Sequence, residues 1–323
     1  MSDGSHLLIS FASVTAPGCR AVVKDLALPN LQRLLGRLSL TGEDSGSVET
    51  LSPPHERAAA RAIGLYAGDG LIPWAAWQVR QASRDTFNAP WAWITPCRWD
   101  VGRDRITMLA PEDLKLDPSE SQALMDAMKP YFVQDGLTLE YQAPTTWLAH
   151  GETLRGLPCG SLDRAVGAVV DPWLPKTDEA RGLRRLQQEM QMLLYTHPIN
   201  AERERKGRAP VNSFWVSGAG AMPPHLKPAD AEAGGPPAGV RSNHRLRESA
   251  LRGDWQAWAA AWEDLDENIL PRLLDALERK RPVSLTLCGE RNAHTWTAKS
   301  SGLFNKLAGK LRSPSVVAAL EAL

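Results

Sequence analysis

The chain has no surplus of either charge: 37 Lys and Arg stand against 37 Asp and Glu in 323 residues, for a net charge of zero. A duplex-binding protein shows a basic excess or stripe, so the balance argues against nucleic acid as a partner. No apolar run approaches the roughly 18 to 20 residues of a membrane-spanning helix. No basic region precedes the short apolar run near the N-terminus, as it would in a secretory leader. Together these absences lead us to expect a cytoplasmic protein with no membrane partner. Cysteine is scarce and scattered. Cys19, Cys97, Cys159 and Cys288 form neither a CxxC pair nor a Cys/His group of zinc spacing, and reduced, packed thiols are expected. Phenylalanine is also rare, five residues against twelve tryptophans, which cluster at Trp74/Trp77, Trp91/Trp93/Trp99 and Trp255/Trp258/Trp262. Indole most often serves as buried bulk with one donor, and stacking on a ligand is its other use.

What is present suffices for one large or two ordinary domains, since 43% of the residues are apolar. "SHLLISFASV" predicts a buried strand over 6–13, and "LPNLQRLLGRL" a helix with Leu31, Leu34, Leu35 and Leu38 on one face. Residues 41–54 are polar with Gly, Ser and Pro and read as loop, and "HERAAARAIGL" reads as a helix closed by Gly64. A β-like module begins near Trp91, with "AWITPCRW" and "DRITML" about a turn at Val101 and Gly102. Asp117, Pro118 and Glu120 form a capping-box start for a helix ending near Pro130. "LTLEYQ" predicts a strand, and "RGLRRLQQEMQMLLYTHP" an amphipathic helix with Leu183, Leu186, Met190 and Leu193 on one stripe. Residues 221–240 hold five prolines among small residues and read as a surface excursion. Beyond it, Trp255, Trp258, Trp262, Leu265 and Ile269 fall at helical spacing, and Pro271 kinks that helix or opens a second. "PVSLTLC" predicts a late strand, and "SPSVVAALEAL" a closing helix started by Ser313 and Pro314.

The stretch "HPINAERERKGRAPVNSFWVSGAG", His197 to Gly220, resembles the Asn, Arg, Gly, Pro, Asn, Trp, Gly pattern of the archaeal-type cofactor-independent phosphoglycerate mutases. Those enzymes belong to the alkaline phosphatase superfamily. The chain resembles still more closely the bacterial RpfE-type regulatory proteins that are often labelled mutase-like. "LPNLQRLL" is similar to the helix start after the superfamily's first metal strand. "WEDLDENILPRLLDAL" is similar to the helix before its last, which would be "PVSLTLC". Residues 95–200, including "SLDRAVGAVVDPW", resemble the inserted domain. The resemblance implies an α/β fold: an alkaline-phosphatase-like core over 1–94 and 201–323, with a mainly parallel sheet flanked by helices, and a smaller α+β insertion over 95–200.

The same resemblance implies two divalent metals, manganese or zinc, held by Asp and His at strand ends around a Ser or Thr nucleophile. Such a pair lowers the nucleophile's pKa and clamps the attacking and leaving oxygens, so loss of the ligands removes the mechanism. Where the family has Asp-Gly after the first strand, this chain has Phe11, Ala12 and Ser13. His55 stands near the nucleophile's place, and it either accepts a phosphoryl group or, with Glu56, simply opens an exposed helix. The last strand's Asp-His is replaced by Cys288, Gly289 and Glu290, and only His294 persists. The inserted domain's phosphoglycerate-binding "YRH" corresponds to "TTWLAH", with Trp147 in place of the contact and His150 retained. Too little chain follows Gly220 for the family's usual second half.

The resembling segment keeps groups fit for a small phosphorylated or carboxylated ligand: Asn200, Arg203, Arg208, Asn212 and Trp215, followed by "SGAG", whose backbone can approach an anion. The structural alternative has Asn200 capping a helix, Gly207 stopping it, and Asn212 with Trp215 tying the insertion to the core. Three functions therefore stand open. The first is a non-catalytic regulatory or ligand-sensing protein with no metal and no cofactor. The second is a divergent mutase or phosphohydrolase using His55, Glu290 and His294, which must then converge in space. The third is a Trp-rich module that docks a protein partner through exposed Trp74, Trp77 or Trp91.

Overall fold

A computed structural model describes residues 5–82, 88–224, 240–298 and 315–323. Its strands are β1 (Ser5–Ile9), β2 (Leu38–Ser45), β3 (Trp91–Cys97), β4 (Trp99–Val101), β5 (Ile106–Met108), β6 (Thr138–Ala143), β7 (Thr146–His150), β8 (Ser213–Gly220), β9 (Val240–Asn243), β10 (Val283–Cys288) and β11 (Asn292–Ala298). Two compact units divide the chain. The first comprises Met1–Val48, Pro53–Ile63 and Asp230–Leu323, and the second Glu49–Ser52 and Gly64–Ala229. Among the described residues no helix is long and apolar enough to cross a membrane.

The first unit is built on a five-stranded mixed sheet of order β2-β11-β10-β1-β9. β1 pairs in parallel with both β10 and β9, whereas β11 pairs antiparallel with β10 and with β2. β1 and β10 are the central strands and are buried on both faces, β1 through the apolar run Leu7 to Ile9 and β10 through Val283, Leu285, Leu287 and Cys288 with Thr286 buried between them. On one face Leu7, Ile9, Leu285, Leu287 and Trp296 join a core with helices Pro17–Asp25, Pro29–Arg37, Trp255–Asn268 and Leu270–Glu278. On the other, Leu8, Cys288 and Ala293 meet Ala58 and Ala59 of helix Pro54–Ala62. The result is an α/β layer structure with helices on both sides of the sheet. Pro271 falls in the first turn of a second helix, Leu270–Glu278, rather than kinking one long helix.

The second unit holds a four-stranded antiparallel sheet of order β6-β7-β3-β8, with β4 and β5 forming a hairpin beside it. Helices Pro118–Gln134 and Arg181–Tyr195 bury Met128, Phe132, Leu186 and Met190 against Trp147, Phe214 and Val216. This is the α+β architecture expected of 95–200, but the unit also takes in 64–94 and 201–229. The reason is strand pairing. β8 is the antiparallel partner of β3, and helix Trp74–Gln81 packs on both, so neither can leave with the first unit.

Two local expectations are corrected by tertiary contacts. Residues 41–54 read as loop, yet Leu38–Ser45 is an edge strand on β11, exposed or half-buried throughout after its first residue. The helix expected to end near Pro130 runs on to Gln134. Pro130 lies on the solvent side, and burial of Met128 and Phe132 on the other outweighs one missing backbone bond. The capping box forms as read: Asp117 Oδ1 accepts from the Glu120 amide at 2.8 Å, and Glu120 Oε2 from the Asp117 amide at 3.4 Å. Most of the proline-rich segment, and Ser313 with Pro314, lie outside the described residues. The four thiols are buried, and desolvation pushes Cys159 up to about 12. Trp91 is buried, and Trp74 and Trp77 are half-buried, so none of the three stands as an exposed docking ring.

The helix-Pro54–Ala62 face of the sheet carries a polar chain: His6 Nε2 meets Thr286 Oγ1 at 2.7 Å, which meets Thr295 Oγ1 at 2.9 Å. Burial holds His6 below its ordinary imidazole value of 6.5, and does the same to His197. Because the unfolded chain then binds protons that the native state resists, their stabilising effect is full above about 6.5 and is lost as pH falls through the lower native values. The urea midpoint is therefore expected to fall between about pH 7 and about pH 5, less steeply in His6→Asn, which keeps only the His197 contribution. Identical slopes in the two proteins would refute the assignment.

Candidate functional site

In an open α/β sheet, ligands meet the chain outside the carboxyl ends of the parallel strands. Here β1, β9 and β10 end along one edge, and β2, running the same way, ends there too. The residues delivered to that edge are Ser10 and Phe11 after β1, Asn243 and His244 at the end of β9, Cys288 at the end of β10 with Gly289 and Glu290 after it, and Asp44 near the end of β2. His55, in the first turn of helix Pro54–Ala62, adds an imidazole.

The turn after β1 is strained and held. Phe11 has φ +55°, the left-handed region that costs an L-residue about 1–2 kcal/mol. Trp258 Nε1 donates to the Phe11 carbonyl at 2.9 Å, and Trp262 Nε1 to the Ala12 carbonyl at 3.3 Å. The Phe11 ring lies 5.1 Å from that of His55, which is buried, and the His55 ring lies 6.1 Å from that of His244. Ser10 Oγ is 2.9 Å from His244 Nδ1 and 3.1 Å from the Asn243 carbonyl. The hydroxyl has one proton, so when it goes to Asn243 the imidazole N–H is the donor to Ser10. A Ser–His pair in hydrogen-bond reach is the arrangement of an activated nucleophile, but Ser10 is fully buried and has no line to a substrate.

Each carboxylate at this edge is engaged through one oxygen. Asp44 Oδ2 accepts from Arg57 Nε at 2.8 Å and lies 2.6 Å from Arg61 Nη1, while Arg57 Nη2 reaches the Arg291 carbonyl at 3.0 Å. Glu290 Oε2 accepts from the Thr15 amide at 2.9 Å and from the Thr15 hydroxyl. His294 lies elsewhere. It pairs with Leu287 in register, and its ring packs 5.7 Å from Trp296 on the sheet face opposite helix Pro54–Ala62. His55 and Glu290 thus come to one edge, whereas His294 turns away from it. Among the described residues no three His, Cys, Asp or Glu side chains gather to hold a metal ion.

The five residues read as ligand-binding all lie in the second unit. Asn200 is inside helix Pro198–Arg205, whose cap is His197, and not at its start. Its Nδ2 donates to the Leu194 and Val211 carbonyls at 2.7 and 2.6 Å, and its Oδ1 accepts from the Val211 amide at 2.9 Å. Arg203 is fully buried. It donates to the Ala209 carbonyl at 3.0 Å, to the Leu114 carbonyl at 2.5 Å, and to Glu120, so it also anchors the capping box. Asn212 exchanges two bonds with the Trp99 backbone at 2.7 and 2.8 Å, and Trp215 Nε1 donates to the Gly160 carbonyl at 2.9 Å. All of these bonds stay within the unit; Asn212 and Trp215 tie hairpin and loop to the sheet. Arg208 is the looser group, 41% exposed and 3.5 Å from Glu120. Gly207, at φ +67°, does stop the helix. The space beside Gly218 in "SGAG" is filled by Trp93 and Trp74, 3.0 and 3.1 Å from where a Cβ would sit. Trp147 is core, with Nε1 on Ser121 Oγ at 2.9 Å, and His150 stacks 4.6 Å from Trp91.

Ser10, His244 and the Asp44–Arg57 pair escape sequence reading. "VRSN" is polar and follows the proline-rich segment, so only its pairing with β1 makes it a strand that brings His244 to the edge. The class these features define is a mixed α/β protein with an α+β second unit and a densely hydrogen-bonded strand edge. No family model and no curated protein matches the sequence. Among solved structures, the chain is similar to the cofactor-independent phosphoglycerate mutase from Thermoplasma acidophilum DSM 1728, at 15% identity, 98% coverage of this chain and 99% of that one, with a TM-score of 0.37. It is also similar to the PH0037 protein from Pyrococcus horikoshii, at 13% identity, 93% and 88% coverage, with a TM-score of 0.47.

The contrast between two arginines is measurable. Arg203→Ala takes the buried guanidinium from Glu120 and from the Leu114 and Ala209 carbonyls and is expected to cost about 3–5 kcal/mol in urea unfolding. Arg208→Ala removes a half-exposed partner of the same carboxylate and is expected to cost less than about 1 kcal/mol. Equal costs would show that the burial of Arg203 is not what sets its contribution.

Proposed function

We propose that the chain is a non-catalytic regulatory or ligand-sensing protein on a phosphoglycerate-mutase-like scaffold, of the bacterial RpfE type and acting in the cytoplasm. The observation that supports this reading is the neutralisation of Asp44, beside which Glu290 keeps only one oxygen uncommitted. Asp44 is neutralised by two guanidinium groups, and Glu290 is bonded to the amide and hydroxyl of Thr15. A two-metal mechanism needs anionic ligands free to bind cations and a nucleophile between them. Of the hydroxyls at this edge, Ser10 is buried against His244 and Thr15 is bonded to Glu290. The ligand expected of such a protein is a small phosphorylated or carboxylated molecule; Arg208 is the most exposed of the five candidate side chains in the second unit that could meet it. A protein partner reads the bound state, and the neutral overall charge disfavours nucleic acid.

The approach of His55 to His244 is what favours the alternative, a divergent mutase or phosphohydrolase. That reading also calls on His294, which sits on the other face of the sheet. Turnover separates the two. With 3-phosphoglycerate or p-nitrophenyl phosphate, in the presence of manganese or zinc, the purified chain is expected to give no turnover above a protein-free blank. Elemental analysis after removal of excess metal is expected to find far less than one metal per chain. Turnover that a chelator abolishes would overturn the proposal.

A further inference from the structure

Beside the strand edge, within the first unit, lies a cleft of about 280 Å³ formed by the loop after β1, helix Pro17–Asp25, the loop after β10 and the C-terminal helix Val316–Glu321. It is slightly smaller than the roughly 300 Å³ at which sites for drug-sized ligands begin, which suits a molecule of few heavy atoms. Its charges are of both signs and have not closed on each other. Arg20 lines it and forms no ion pair among the described residues, although Glu290 and Glu321 line the same space. Glu290 commits Oε2 to Thr15, which leaves Oε1 without a partner among the described residues. Arg20 and Glu321 are exposed, Glu290 is half-buried, and the rest of the wall is largely aliphatic: Val14, Val23 and Leu323.

Opposite charges held apart across an aliphatic cleft complement a ligand that carries both charges and an apolar body. We propose that this cleft binds a free α-amino acid with an aliphatic side chain. The guanidinium of Arg20 takes the carboxylate, in the planar two-bond geometry that arginine offers. Glu290 and Glu321 take the ammonium group, and the side chain lies on Val14, Val23 and Leu323. The Ser13 hydroxyl supplies a further polar contact at the wall. A phosphate monoester fits less well, because two of the three charged groups that line the cleft are carboxylates and would repel it.

The inference rests on the ligand-sensing reading for its biological use, and its test measures binding and not turnover. Calorimetric titration of the full chain with L-valine and L-leucine is expected to give saturable binding. Isovalerate, which lacks the amine, and isobutylamine, which lacks the carboxylate, are each expected to bind at least about tenfold more weakly, as is inorganic phosphate. Arg20→Gln, at an exposed and unpaired position, is expected to weaken the amino acids by about tenfold and leave isobutylamine unchanged. Glu321→Gln is expected to weaken the amino acids and isobutylamine alike. No binding of either amino acid up to about 10 mM, equal affinity for the one-charge analogues, or preference for phosphate would overturn the inference. Those outcomes leave the absence of turnover standing, and turnover would leave a measured amino-acid affinity standing.

Discussion

Two indole N–H groups, of Trp258 and Trp262, hold the carbonyls of Phe11 and Ala12, and the geometry of the first unit follows from that grip. β1 is the strand that pairs in parallel on both sides, so the turn where it ends decides where every neighbouring loop lies. That turn puts a phenylalanine in a left-handed conformation, which an L-residue keeps only when its surroundings over-determine it. The two tryptophans are fully buried, spaced one helical turn apart, and place their donors along one side of helix Trp255–Asn268. Indole combines large apolar burial with a single donor, and a residue of that kind can fix a strained turn without leaving a polar group unsatisfied.

The polar chemistry of the molecule is directed inward to the same end. Asp266, buried in that helix, accepts from the Leu31 and Asn30 amides at 2.7 and 3.1 Å and so caps helix Pro29–Arg37 from a distance in sequence. Arg57 and Asp44 join helix Pro54–Ala62 to the end of β2. In the second unit, Arg203, Asn200 and Asn212 close turns by bonding backbone carbonyls that would otherwise be orphaned. A residue type suited to gripping an anion is equally suited to gripping a carbonyl, and here the carbonyls have it. What is left to solvent at the strand edge is a cleft whose charges remain apart.

Much of the fold was legible along the chain. The Asp117–Glu120 capping box, the Leu31/Leu34/Leu35 stripe and the Trp258/Trp262 spacing each rest on neighbours three or four residues apart, a distance at which sequence and structure share one geometry. The apolar run of β1 and the β-forming residues of β10 announced buried strands for the same kind of reason. β2 and β9 were not legible, because each is a polar strand at a sheet edge, made a strand only by its partner. The extent of the second unit was missed likewise, since the pairing of β3 with β8 joins residues separated by more than a hundred positions.

The sequence by itself determined the composition of the two cores, the capped helices, the buried central strands and the set of polar residues available to a site. Only the tertiary structure decided which of those residues share a place. It put His55 near His244 and turned His294 to the opposite face, spent Asn200 and Arg203 on backbone, and kept Arg20 apart from Glu290. The physical reason is that local elements follow from short-range sterics and hydrogen bonding along the chain, whereas a site is made by sheet register, and a shift of one residue in register exchanges the face on which every side chain lies.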